Sequence, residues 1–208
     1  MMRFQGNIYV NAIMHGMMSI MPISLIGGVF GILSYMPFPE IIQNGMSVMA
    51  LMTSSLISVY VVAGVSGAFA RLRKQDIMST IILSLVMFFL ITPTTNDAEG
   101  IIAISTDYLG NKGMFLAIIP VIVAPALYYF ILENNKIKFT MPDSVPSTIT
   151  NMFNSLIPYL VVGFIYVVLN QIMLQTKFGN FHDLVYTLLQ APLNNLGSSI
   201  WSAFLLVF

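Results

Sequence analysis

The sequence predicts an all-α integral membrane protein with five complete transmembrane helices, an interfacial amphipathic helix and a truncated sixth span. Two observations carry this. Only 8% of the 208 residues are charged and 57% are hydrophobic, whereas a soluble domain carries about 25% charged residues. Such a chain cannot cover its own surface in water. The few charges are also clustered: residues 4–39, 41–70, 77–96, 113–132, 144–176 and 184–208 contain no Asp, Glu, Lys or Arg. A bilayer-spanning helix needs roughly 20 such residues, so each stretch can hold one span.

The first span runs from about Asn11 to Tyr35, broken by Pro22 and lined by Gly27, Gly28 and Gly31, with Pro37 and Pro39 ending it. The second covers about Met46 to Ala70. Its small residues, Ala63, Gly64, Gly67 and Ala68 among them, allow helix backbones to approach closely. Ordinary bundle packing explains them more simply than a dimer seam. The third span fills Ile77 to Thr92 and stops at Pro93, before a loop from Thr94 to Lys112 that carries Asp97, Glu99 and Asp107. The fourth, Met114 to Leu132, contains Pro120 and Pro125, which kink a helix unless neighbours satisfy the freed carbonyls. The fifth covers Tyr159 to Gln175.

Between the fourth and fifth spans stands "NKIKFTMPDSVPSTITNMFNSLIPYL". From Val145 its apolar residues Ile149, Met152, Phe153, Leu156 and Ile157 recur at helical spacing, with Ser, Thr and Asn on the other side. This predicts a short amphipathic helix lying at the membrane interface. Asp143 or Ser144 would cap it and Pro146 would sit in its first turn. Pro158 would mark a bend into the fifth span, and Lys136 and Lys138 would anchor the approach at lipid headgroups.

Alternation of five spans puts Arg3, Arg71, Arg73, Lys74, Lys136 and Lys138 on one side and only Lys112 and Lys177 on the other. Basic residues favour the cytoplasmic side, which places the N-terminus inside. The sixth stretch is polar from Leu193 to Ser199 and strongly apolar only over Ile200 to Phe208. Nine residues rise about 14 Å against a hydrocarbon core of about 30 Å, so a longer protein is expected.

Several function classes are disfavoured. Net charge is zero and no basic cluster exceeds Arg71, Arg73 and Lys74, so nucleic-acid binding has no footprint. With no cysteine in the chain, disulfides, thiolate metal sites and a cysteine nucleophile are excluded from it. The N-terminal apolar region runs on into a span and does not read as a cleavable signal. No cofactor motif, metal-ligand set or catalytic residue stands out. His15 reads as a half-exposed interfacial imidazole. His182 adjoins Asp183, but sequence neighbours rarely form a catalytic pair, because a base and its orienter must converge in space. Asn170, Gln171, Asn194 and Asn195 could face a polar cavity, and an interfacial placement explains them as well.

Three segments, "GNKGMFLAII", "KIKFTMPDSVPSTITNMFNSLIP" and "LLQAPLNNLGSSIW", resemble in order and spacing the bacterial phosphotransferase-system permeases. The branch is that of the enzyme IIC components for lactose, cellobiose and diacetylchitobiose. The opening "NIYVNAIMHGMMSIMPISLIGGVFGIL" is similar to that family's first span. The most specific part is Met141, Pro142, Asp143, Ser144, Val145 and Pro146, followed by Phe153, Leu156, Ile157 and Pro158; these are family-motif residues with a structural role.

The resemblance implies a homodimeric carrier that delivers a disaccharide to a cytoplasmic IIB subunit, itself served by IIA, with no phosphoryl-carrying residue of its own. Residues 1–176 would be the N-terminal interface domain and residues 177–208 a connector and the start of the transport domain. The family's sugar site rests on a histidine loop and a later glutamate, both expected beyond residue 208, so no sugar-binding residue is assigned here. The chain alone is then expected not to transport. A membrane interaction protein that self-associates or pairs with intact permeases is the alternative.

Overall fold

The computed structural model describes residues 7–96, 100, 102–133, 142 and 146–197. Its elements are α1 (Ile8–Leu33), α2 (Glu40–Ser54), α3 (Ile57–Arg73), α4 (Ile77–Ile91), β1 (Thr94–Asn96), β2 (Ile102–Ile104), α5 (Thr106–Leu109), α6 (Asn111–Leu132), α7 (Ser147–Leu174) and α8 (Phe181–Gly197). Helices α1, α6 and the Met152–Leu174 part of α7 are each long and apolar enough to cross a membrane, and α2 with α3 forms a fourth, bent candidate. The 15-residue α4 is shorter but equally apolar. The all-α membrane class therefore holds.

Helices α3, α4 and α6 form the centre, because their small and branched residues interlock on more than one side. One buried cluster joins Ile20 of α1, Val61 and Val65 of α3, Phe88 of α4, and Ala117 and Val121 of α6. A second joins Leu83, Met87 and Ile91 of α4 with Leu116, Ala124 and Tyr128 of α6 and Val162 and Tyr166 of α7. In lipid no hydrophobic force drives helices together, so close packing and hydrogen bonds must hold the bundle. The contact of α1 with α3 shows how. A Cβ on Gly16 would collide with the Val65 backbone, and one on Gly64 would lie 2.9 Å from the Gly16 carbonyl oxygen. Gly67 faces Ile81 of α4, 3.3 Å from its would-be Cβ. The small residues of α3 thus serve the chain's own bundle.

Three sequence expectations need correction. The second span is not one straight helix from Met46 to Ala70: α2 begins at Glu40 and meets α3 at 44°. Ser55 and Leu56 fall between the two helices, and the Tyr60 hydroxyl donates to the Met52 carbonyl (2.9 Å) across the break, satisfying an acceptor that the bend would strand. The loop after α4 is partly an antiparallel hairpin, with Thr94 opposite Ile104.

The amphipathic segment before the fifth span is not a separate helix either. It is the first part of α7, which continues unbroken through Pro158. Pro146 is the N-cap itself rather than a first-turn residue, and its carbonyl accepts from the Ile149 and Thr150 amides at 3.0 and 3.3 Å. Exposure of Ile149, Met152, Phe153 and Leu156 shows that the apolar stripe points outward. Pro142 is exposed; Asp143, Ser144 and Val145 lie outside the described residues.

The bundle has two chemically different ends. At the arginine end, Arg73 donates to the Tyr9 hydroxyl at 3.2 Å and lies over the Phe69 ring. Lys74 closes α3 in the left-handed region, φ 54°. Asp76 caps α4 by accepting from the Ser79 amide at 2.7 Å, and the Tyr159 hydroxyl of α7 donates to the Ser79 carbonyl at 2.9 Å. The opposite end carries the β hairpin, α5 and the start of α8.

Candidate functional site: the clasp at the hairpin end

Building the hairpin end begins with α5. Ser105 caps this single turn, its hydroxyl accepting from the Asp107 amide at 3.3 Å. The turn is pressed against the main bundle, because the buried Ser58 hydroxyl donates to the Leu109 carbonyl at 2.5 Å. Gly113 allows α6 to start immediately afterwards, since a Cβ there would strike the Tyr108 carbonyl. This tight passage presents Tyr108 and Lys112 on the same side.

Helix α8 meets them from below in sequence. Asn180 is placed to cap it: its side-chain oxygen accepts from the Asp183 amide (2.7 Å) and its amide group donates to the Asp183 carboxylate (2.6 Å). That reciprocal pair aims Asp183 at Lys112, and the two form an ion pair at 2.5 Å. The Lys112 ammonium also sits over two rings, 4.8 Å from the Tyr108 centroid and 5.5 Å from that of Tyr186 on α8. The pairing raises the Lys112 pKa and, together with the Asn180 contact, lowers that of Asp183, so both stay charged near neutrality. A half-exposed ion pair alone is worth about 0–1 kcal/mol. Here the two cation–π contacts add to it, each worth about 0.5–1 kcal/mol at exposed sites.

His182 completes the clasp. It is fully buried, stacked on Phe88 of α4 at 5.8 Å and edge-on to Tyr108 at 5.0 Å. Neither ring nitrogen has a hydrogen-bond partner among the described residues. Burial pushes its pKa down to about 4, with Lys112 acting in the same direction and Asp183 against it. The ring is therefore neutral at pH 7 and behaves as packing. Asp183 bonds to Lys112 and Asn180 rather than orienting the imidazole.

The remaining candidates separate. His15 is exposed on α1 at the arginine end, lining a cavity of about 430 Å³ with Ser19 and Arg71. Asn170 is half-buried, and its amide donates to the Leu90 carbonyl at 3.2 Å, tying α7 to α4. Gln171 is exposed. Asn194 and Asn195 lie on the last turns of α8. Among the described residues no group of three or more His, Cys, Asp or Glu side chains could hold a metal ion. Sequence reasoning missed the Lys112–Asp183 pair. The available signal was that two loops assigned to one side carried opposite charges, Lys112 in one and Asp183 in the other.

The whole arrangement has known relatives. The family model described as "Phosphotransferase system, EIIC" matches residues 14–208. The oligo-beta-mannoside-specific EIIC component of Bacillus subtilis (strain 168) is 29% identical, over 99% of this chain and 49% of that one. The cellobiose-specific EIIC component of Geobacillus stearothermophilus is 31% identical, over 96% of this chain and 48% of that one. Among solved structures, ChbC, the IIC component of the N,N'-diacetylchitobiose-specific phosphotransferase system, matches with a TM-score of 0.81 and 29% identity. It covers 97% of this chain and 51% of ChbC. The chain thus spans about half the length of the relatives it matches. Shared sequence along nearly its whole length and a shared helical bundle lead to one conclusion: the chain belongs to the phosphotransferase-system EIIC family.

Proposed function

We propose that these residues form the N-terminal half of a permease that carries a disaccharide of the cellobiose, lactose or diacetylchitobiose class across the bacterial cell membrane. Residues 1–176 act as the interface domain of a homodimer and residues 177–208 connect it to the sugar-carrying domain. The arginine end faces the cytoplasm, where a separate IIB subunit, supplied with phosphate by IIA, phosphorylates the sugar. The observation that carries this reading is the match to ChbC along 97% of the chain. The basic residues at the arginine end support the orientation.

Within this reading the clasp has a task. A carrier domain that moves must be attached to one that does not, and α8 is the first element beyond the proposed boundary. Lys112 and Asp183 fix its beginning to α6 while the rest of α8 projects onward. The α3 glycines are occupied inside the protomer, so the dimer contact falls on another face. The outward apolar side of α1, where Leu25 and Ile32 are about 70% exposed, is wide enough to serve.

A chimera tests the proposal. Residues 1–208 joined to the second half of the Geobacillus cellobiose EIIC component should restore phosphorylation-dependent cellobiose uptake in cells that supply IIA and IIB. The 208 residues by themselves should show no saturable uptake in vesicles. A chimera that inserts and is folded but accumulates no disaccharide contradicts the permease reading and favours a membrane interaction protein.

A further inference from the structure

A cleft of about 580 Å³ opens beside the clasp, between the α2–α3 break, α5, the first turns of α6 and the second turn of α8. Small-molecule sites occupy roughly 300–1,000 Å³ and favour seams between domains, and this cleft lies where the connector meets the proposed interface domain. We infer that it is an encounter site for a neutral disaccharide, held by Asp107, Asn111 and Lys112 between the rings of Phe115 and Tyr186. The inference rests on the permease reading and adds to it a first contact that precedes the transport site.

Three features select a sugar. The first is exposed aromatic surface: Phe115 and Tyr186 are 49% and 43% exposed and both line the cleft. Such rings are apolar bodies that cover C–H faces well, and a pyranose offers two C–H faces with hydroxyls around its rim. The second is unengaged planar polar groups. The side chains of Asp107 and Asn111 are exposed and make no hydrogen bond or ion pair among the described residues. A carboxylate accepts at two oxygens and an amide both donates and accepts, which matches adjacent hydroxyls. Thr106 and Ser55 add hydroxyls to the same lining.

Charge is the third feature. Lys112 has its ammonium neutralised by Asp183, and Asp107 adds a second carboxylate nearby. The cleft therefore has no excess of positive charge to attract a phosphate or a sugar phosphate. Lys112 still has three N–H donors and spends them incompletely on Asp183, so it can bond a hydroxyl while holding the clasp. An uncharged polyhydroxylated ligand suits this set better than either an anion or a metal cation.

The chain lacks cysteine, which makes thiol protection a clean assay. Single reporters Ser54→Cys and, separately, Thr106→Cys, both exposed on the cleft lining, are placed in the 208-residue chain in membrane vesicles. Each is modified with a membrane-impermeant methanethiosulfonate. Millimolar cellobiose or N,N'-diacetylchitobiose should slow modification several-fold at one or both positions, and sorbitol should not. Adding Phe115→Ala or Tyr186→Ala should remove the protection, while Thr95→Cys on the hairpin should be indifferent to sugar throughout. Equal rates with and without disaccharide at both reporters overturn the inference, as does protection by glucose 6-phosphate or sorbitol equal to that by cellobiose. If the chimera described above transports cellobiose while no reporter is protected, the encounter site fails and the permease reading stands. If neither occurs, both fail.

Discussion

Gly16→Ala will destabilise the bundle by about 1–3 kcal/mol, the usual cost of forcing extra bulk into a packed site, and Gly16→Leu will prevent folding. The added Cβ meets backbone rather than a yielding side-chain tip, because the Val65 main chain is the first thing in its path. Gly64 lies on the other side of the same crossing, its would-be Cβ 2.9 Å from the Gly16 oxygen and 3.1 Å from Ile20. Neither helix can move away cheaply, since Val61 and Val65 are fully buried against α6 and α4. Glycines with open space give the internal control. Nothing lies within 4 Å of a Cβ at Gly28 or Gly45, and alanine there should be neutral or stabilising by up to about 1 kcal/mol. Unfolding of purified variants in mild detergent with rising dodecyl sulfate reads the order directly. Gly16→Ala as stable as the parent, with Gly28→Ala weaker, would break the α1–α3 account. Bulky substitutions at Gly64 also disrupt the protomer, so they are a poor test of self-association.

His182→Phe is expected to remove the acid sensitivity of the hairpin end and to leave stability at neutral pH equal or higher. Phenylalanine keeps a ring between Phe88 and Tyr108 and takes away two buried nitrogens with no partner among the described residues. Leaving such groups unsatisfied costs about 1–3 kcal/mol. The sign of the pH effect follows from burial, which lowers the histidine from 6.5 to about 4. The unfolded chain then binds a proton that the folded chain refuses. Stability from this group is complete above pH 7, falls as pH drops below 6.5, and reaches its full loss near pH 4. At 1.36 kcal/mol per unit, that loss is roughly 3 kcal/mol. Around the ring, Lys112 stays protonated and Asp183, with a lowered pKa, stays ionised. Unfolding midpoints of the parent should therefore slope between pH 7 and 4, and those of His182→Phe should be flatter. Parallel slopes would assign the sensitivity elsewhere.

Charge-free stretches, prolines and capping residues made much of this fold legible in advance, since a bilayer demands long apolar helices with satisfied backbones. The bounds of α1, α4 and α6 came within a few residues of those expected. The break between α2 and α3 was not legible, because it depends on Tyr60 reaching Met52 and on no proline or glycine at the bend. Pro158 misled in the opposite direction. A proline in lipid breaks a helix only where neighbours fail to compensate, and the neighbours of α7 are invisible in a linear pattern. The clasp was hidden for a related reason. Lys112 and Asp183 are brought together by the docking of α8 on α6, whereas the sequence showed Asp183 only beside His182.

Every functional assignment requires the two ends of the bundle to face opposite sides of the membrane. The arginine end must meet the IIB subunit, and the hairpin end must meet incoming sugar. Sided thiol labelling of Lys74→Cys and Thr95→Cys in intact cells tests this most directly, as both parent residues are exposed and the chain has no cysteine of its own. The account predicts that an impermeant reagent added outside modifies Thr95→Cys at once and Lys74→Cys only after the cells are opened. Labelling of Lys74→Cys from outside, or of both positions from one side, would contradict it.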